Sequence, residues 1–175
     1  MRISEITQSN VRAVIKDLMS SLRSNHDQLT QYSGFGYCAY GSRLLGDQLE
    51  ALSVPFEYVT GMEFSSNPIA DSCRNHVNSI IAGMGSETDE PYQSIYKAFV
   101  SRGNQLPRRI GHGVVLVRDQ IYDITSPQFD LPRVYDLDTF CRIWKTVRVV
   151  DDFPIDTESD FMISNQLTTV RVIQK

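Results

Sequence analysis

Between Gln31 and Gly61 the chain changes character three times, and this succession limits its folding options most. Gln31-Tyr-Ser-Gly-Phe-Gly-Tyr-Cys38 carries two glycines that end any preceding helix and allow the backbone to turn sharply. From Ala39 to Leu52 apolar residues recur at helical spacing: Leu44, Leu45, Leu49 and Leu52. Ser53-Val-Pro55 then stops the stripe, because proline disfavours a helical predecessor. Phe56 to Thr60 reads as a strand that Gly61 ends. A second stripe lies upstream, in a segment from Ile3 to Leu29, with Ile6, Val11, Val14, Ile15, Leu18 and Leu22 on it and Ser9 or Asn10 as its cap.

The remaining sequence is richer in strand signals. Gly111 to Val117 and Gln120 to Thr125 are β-rich runs separated by Arg118-Asp119, which predicts a hairpin. Thr146 to Val150 and Leu167 to Ile173 are further strands, with Met162 to Val172 an edge or returning segment. Asp138 to Trp144 is expected as a short helix capped by Asp138. Met62 to Ile110 has the weakest pattern. Ser65-Ser-Asn-Pro68 and Gly83-Met-Gly-Ser86 break it, His76 to Ala82 suits strand or helix, and Pro91 to Val100 is helical. Helices followed by strands predict an α+β fold with N-terminal helices packed on an antiparallel β-sheet. The 175 residues fit a single domain, 1–175, with an insertion at about 62–110.

Composition removes several classes. A net charge of −4 gives no general reason to bind nucleic acid or anionic lipid. No apolar run approaches the roughly 20 residues needed to cross a bilayer. Met1 to Leu18 lacks the basic region and apolar block of a signal peptide, so a cytoplasmic location is expected. Cys38, Cys73 and Cys141 are too far apart for a disulfide framework or zinc knuckle, and fit a reducing compartment. Cys73 and His76 stand three residues apart without other ligand candidates nearby, so no metal site and no cofactor are expected. Cys141, with Ile143 and Trp144, reads as core.

Cys38 differs from the other two thiols in position. It stands where the glycine-broken loop meets the start of the amphipathic stripe. The positive end of a helix dipole favours thiolate over thiol, and the free N–H groups there can bind a developing oxyanion. A thiolate that attacks an amide needs an acid for the leaving group. His112, between Gly111 and Gly113, is the candidate, the glycines leaving room around its ring. Asp123, on the next strand, would orient the imidazole and favour its protonated form. A two-residue turn at Arg118-Asp119 puts His112 opposite Thr125 and Asp123 diagonally on the same face, while a three-residue turn would separate the two.

Two stretches resemble the transglutaminase-like superfamily. Gly36-Tyr-Cys38-Ala-Tyr-Gly-Ser-Arg-Leu-Leu-Gly-Asp-Gln-Leu-Glu-Ala-Leu52-Ser-Val-Pro-Phe-Glu-Tyr-Val-Thr-Gly61 is similar to its cysteine helix, turn and strand. Gly111-His112-Gly-Val-Val-Leu-Val-Arg-Asp-Gln-Ile-Tyr-Asp123-Ile-Thr125 is similar to its histidine and aspartate strands, with Gly113-Val114 and Ile124 departing from the frequent residues. The resemblance implies a papain-like core with Cys38, His112 and Asp123 as a triad. It implies a thiol hydrolase or acyltransferase working through a thioester on a protein or peptide substrate. The superfamily also has members without activity, which leaves a binding or structural protein as the alternative. An arylamine acetyltransferase shares the residue order but needs an acyl-coenzyme pocket that the sequence does not announce. For a chain this small, hydrolysis is favoured over crosslinking. Gln31, seven residues before the cysteine, has the amide chemistry of an oxyanion-hole donor. Tyr32 and Tyr37 are candidates to line an acyl groove, and Arg108-Arg109 to meet an acidic substrate group.

Overall fold

A computed structural model describes residues 8–108, 110–153 and 167–173. The chain is α+β, and the six strands among the described residues form one antiparallel sheet in the order β4-β3-β2-β1-β5-β6. Helix α1 spans Gln8–Asn25, α2 Asp27–Thr30 and α3 Cys38–Ala51. Strand β1 (Glu57–Phe64) leads to α4 (Pro68–Met84) and α5 (Tyr92–Ser101). Strands β2 (Gly111–Val117), β3 (Gln120–Tyr122) and β4 (Val134–Asp136) follow, then α6 (Leu137–Ile143), β5 (Trp144–Val150) and β6 (Thr169–Ile173). Residues 1–7, which include Ile3 and Ile6, lie outside the described residues, as do Arg109 and residues 162–166 of the proposed returning segment. None of the described helices is long and apolar enough to cross a membrane.

Alternation along β2 divides the core in two. Val115 and Val117 face Ile15 and Met19 of α1 and Ala39, Leu45 and Leu49 of α3. Val114 and Leu116 face the other way, toward Cys73, Val77 and Ile81 of α4, Phe99 of α5 and Phe140 of α6. Helices therefore cover both faces of the sheet, and the N-terminal pair covers only one. Residues 65–108 supply much of the second face.

Several local expectations are corrected. β1 runs through Gly61 to Phe64, because the missing side chain admits the Trp144 ring: a Cβ on Gly61 would overlap it. Ser65-Ser-Asn-Pro68 starts a helix where it was expected to break one. Asn67 accepts a hydrogen bond from the Ala70 amide at 3.0 Å, and proline suits the first helical position. His76 to Ala82 is helix, within α4. The first stripe ends at Asn25, where His26 adopts extended backbone before α2. β4 was not anticipated, and it carries the true cap of α6: Asp136, not Asp138, accepts from the Thr139 amide at 2.6 Å.

Candidate functional site

The site begins with the hairpin. β2 and β3 join through Arg118-Asp119, and Val117 pairs with Gln120, Leu116 with Ile121 and Val115 with Tyr122. Continued, this register puts His112 across from Thr125. β3 stops at Tyr122, three residues before the expected end, because Asp123 turns its carboxylate on its own backbone. Its Oδ1 accepts from the Thr125 amide and from Thr125 Oγ1, both at 2.9 Å. Its Oδ2 accepts from His112 Nε2 at 2.6 Å and, more weakly, from Tyr135 Oη at 3.4 Å. Both side chains of the His112–Asp123 pair are buried to 1% exposure. Four donors around one carboxylate hold it in a single rotamer.

The ring of His112 sits in an aromatic enclosure. Phe129 meets it edge-on at 4.5 Å, and Trp144 lies over it nearly parallel at 6.1 Å. Trp144 occupies the space above Gly61, which is His112's partner across β1 and β2. Burial by itself pushes the imidazole toward neutrality, but Asp123, through its charge and hydrogen bond, and then Cys38 outweigh it and raise the pKa. With Nε2 committed to Asp123, Nδ1 is the remaining nitrogen. It is buried and has no well-aligned hydrogen bond among the described residues. Cys38 is near enough to the ring to be among the groups that raise its pKa.

Cys38 opens α3, where the leading N–H groups have no intrahelical carbonyl. The loop before it moves the chain from one side of the sheet to the other: Phe35 packs with the His112 side and Ala39 with the α1 side. That crossing uses left-handed backbone at Tyr32, Ser33, Gly34 and Gly36. Gly34 is required twice over, by its φ of 82° and by Thr125, whose methyl would lie 2.8 Å from a Cβ. Ser42 of α3 donates to the Gly113 carbonyl at 2.9 Å and ties the helix to the histidine strand.

Cys38 and His112 both line a cavity of about 530 Å³. Its walls come from the cysteine loop, β1 and the start of β2, α5, Leu106, Pro107 and Ile110, and the 3-10 turn Ser126–Phe129. Gln31 is exposed and is not among the described residues lining it. Gln128 is, and sequence reasoning missed it. It is buried, donates one amide proton to the Thr125 carbonyl at 3.0 Å, and keeps a second N–H. Tyr32 and Tyr37 do not line the cavity; they pack on Tyr92, at ring distances of 4.6 and 6.2 Å. The glycines around His112 do not leave empty space either. A Cβ on Gly113 would meet Phe153 at 2.7 Å, and one on Gly111 would meet Met62 at 2.6 Å.

Arg108 is exposed, and Arg109 lies outside the described residues. Cys73 and Cys141 are buried away from solvent. Burial, followed by Asp130, raises the Cys73 thiol to about 11, which keeps it protonated and inert. Among the described residues no cluster of three histidine, cysteine or acidic side chains could hold a metal ion. Comparison of the chain with protein-family models, curated proteins and solved structures found no match.

Proposed function

We propose that the chain is a thiol hydrolase or acyltransferase acting on amides, built on a transglutaminase-like, papain-like core. One observation carries the reading. A buried histidine is bonded to an aspartate through one ring nitrogen, keeps the other without a hydrogen-bond partner among the described residues, and lines the same cavity as a cysteine that begins a helix.

In this reading Cys38 Sγ, as thiolate, attacks the carbonyl carbon. The tetrahedral oxyanion is received by N–H groups at the start of α3 and by the free N–H of Gln128. His112 gives its Nδ1 proton to the amide nitrogen, the C–N bond breaks, and an amine leaves a thioester on Cys38. Water, deprotonated by the now neutral His112, attacks the thioester. The C–S bond breaks, a carboxylic acid is released, and thiolate and imidazolium are restored. An amine in place of water would complete acyl transfer. Asp123 keeps Nε2 protonated and the ring in place throughout.

Alkylation kinetics test the proposal. Iodoacetamide at neutral pH should label Cys38 at least tenfold faster than Cys73 or Cys141. His112→Gln, checked by circular dichroism for a retained fold, should remove most of that advantage. Three thiols that react alike, or only on unfolding, would leave a protein without this chemistry.

A further inference from the structure

The cavity around Cys38 has a character that the triad does not require. Helix α5 turns one face to it, with Pro91, Ser94, Ile95, Ala98 and Arg102 repeating at three- and four-residue steps. The helix is anchored through buried Tyr92, which is outside the lining, and through buried Phe99, which also borders the cavity. Ile95 and Ala98 in the middle of the face stay only half-buried, and so do Met62, Leu106 and Ile110 across from them. Phe35, Ile81, Phe129 and Phe153 add buried apolar walls. Apart from Cys38 and His112, the ionisable side chains lining the cavity among the described residues are Glu90 and Arg102. They stand at opposite ends of a helix about 15 Å long. Glu90 already accepts from Ser94 Oγ at 2.9 Å, and both are exposed. Charge is therefore kept at the rim, and the centre is apolar.

We infer that this cavity selects substrates whose acyl half carries a bulky, uncharged aliphatic or aromatic side chain, an inference that rests on the thiol-hydrolase reading for its catalytic centre. The acyl half is the part that stays bound to Cys38 through the thioester, so it is the part the cavity holds longest. About 530 Å³ is a small-ligand volume and readily accommodates a phenylalanine side chain. A glutamine or lysine side chain there would trade its water for few partners, since besides His112 the buried polar side chains of the described lining are Thr60 and Gln128. Ala98 sets the depth, since any longer residue there would project into the space.

The test uses N-acetyl-aminoacyl-amidomethylcoumarins that share a leaving group and differ in acyl side chain: Phe, Leu, Gly and Gln. The Phe and Leu substrates should exceed Gly and Gln in kcat/KM by about 10–200-fold. Ala98→Leu should cost the Phe substrate at least tenfold more in kcat/KM than it costs the Gly substrate. A second arm needs no turnover: Cys38→Ser, titrated by NMR, should bind N-acetylphenylalaninamide at least tenfold more tightly than N-acetylglycinamide. Turnover with Gly or Gln equal to or above Phe overturns the inference and leaves the hydrolase reading intact. Selective binding with no turnover of any substrate sustains the pocket and sinks the hydrolase reading. Neither turnover nor selective binding overturns the inference.

Discussion

Gln31 and Gln128 show how narrowly a side chain's role depends on the turn that carries it. Both offer an amide N–H, yet Gln31 is the exposed first residue of a 3-10 turn, and Gln128 is buried and lines the cavity that Cys38 and His112 share. If Gln128 donates to the oxyanion, Gln128→Ala should lower kcat by about 10²–10³-fold with a much smaller change in KM. Its iodoacetamide rate at Cys38 should stay within about threefold of wild type, because alkylation forms no oxyanion. Steady-state kinetics and timed mass spectrometry on the same preparation check both halves; an unchanged kcat would remove Gln128 from the mechanism. The meeting of His112 with Asp123 was legible because parity in a two-residue hairpin is a counting problem. Gln128 was not, because its direction follows from the turn that Asp123 imposes on Thr125 and Ser126, a tertiary consequence of the same carboxylate.

At the level of elements, helices α1, α3 and α5 and strands β2 and β5 could be read from periodicity, while α4 was hidden by its own start signal. Ala70, Cys73, Val77, Ile81 and Met84 form a buried helical stripe, but Asn67-Pro68 resembles a loop until the asparagine is seen as a cap. Gly61 misled in the opposite direction, reading as a strand end although it lies inside β1 beneath an indole. This glycine couples fold and site. Gly61→Ala would force a methyl into Trp144, whose ring also covers His112, at a cost of about 1–3 kcal/mol. Urea unfolding should show the loss, and Cys38 labelling should slow as the imidazole shifts. Gly83→Ala is the contrast: it lies in α4 with nothing within 4 Å of the new methyl. There alanine should stabilise by about 0.5–1 kcal/mol and leave labelling unchanged. Equal effects at the two glycines would refute the packing argument.

Across the whole molecule, the buried pair must leave a mark on stability against pH. Asp123 and Cys38 outweigh the desolvation of His112 and raise its pKa in the folded state. In the unfolded chain a histidine titrates near 6.5. Below about pH 6.5 both states carry the proton and the pair's full contribution is present. Above it the unfolded state releases the proton and the folded state retains it, so stability falls with rising pH until the raised value is passed. The slope approaches about −1.4 kcal/mol per pH unit, the worth of one proton. In Cys38→Ala, which takes the thiol's own proton out of the balance and keeps Asp123, the larger of the two raising causes, the window from about pH 6.5 to 8 is clean for this purpose. Asp136 is lowered, chiefly by its bonds from Thr139, and loses its contribution only in acid. Burial raises Tyr58 to about 12 and Cys73 to about 11, so both act on stability only above their ordinary alkaline values. Urea unfolding of Cys38→Ala across this window should therefore give a falling free energy, and adding His112→Gln should flatten it. A profile that rises through the window, or one that His112→Gln leaves unaltered, would mean that the ring is neutral in the folded state. The proton donor to the leaving amine would then be missing at the start of the reaction.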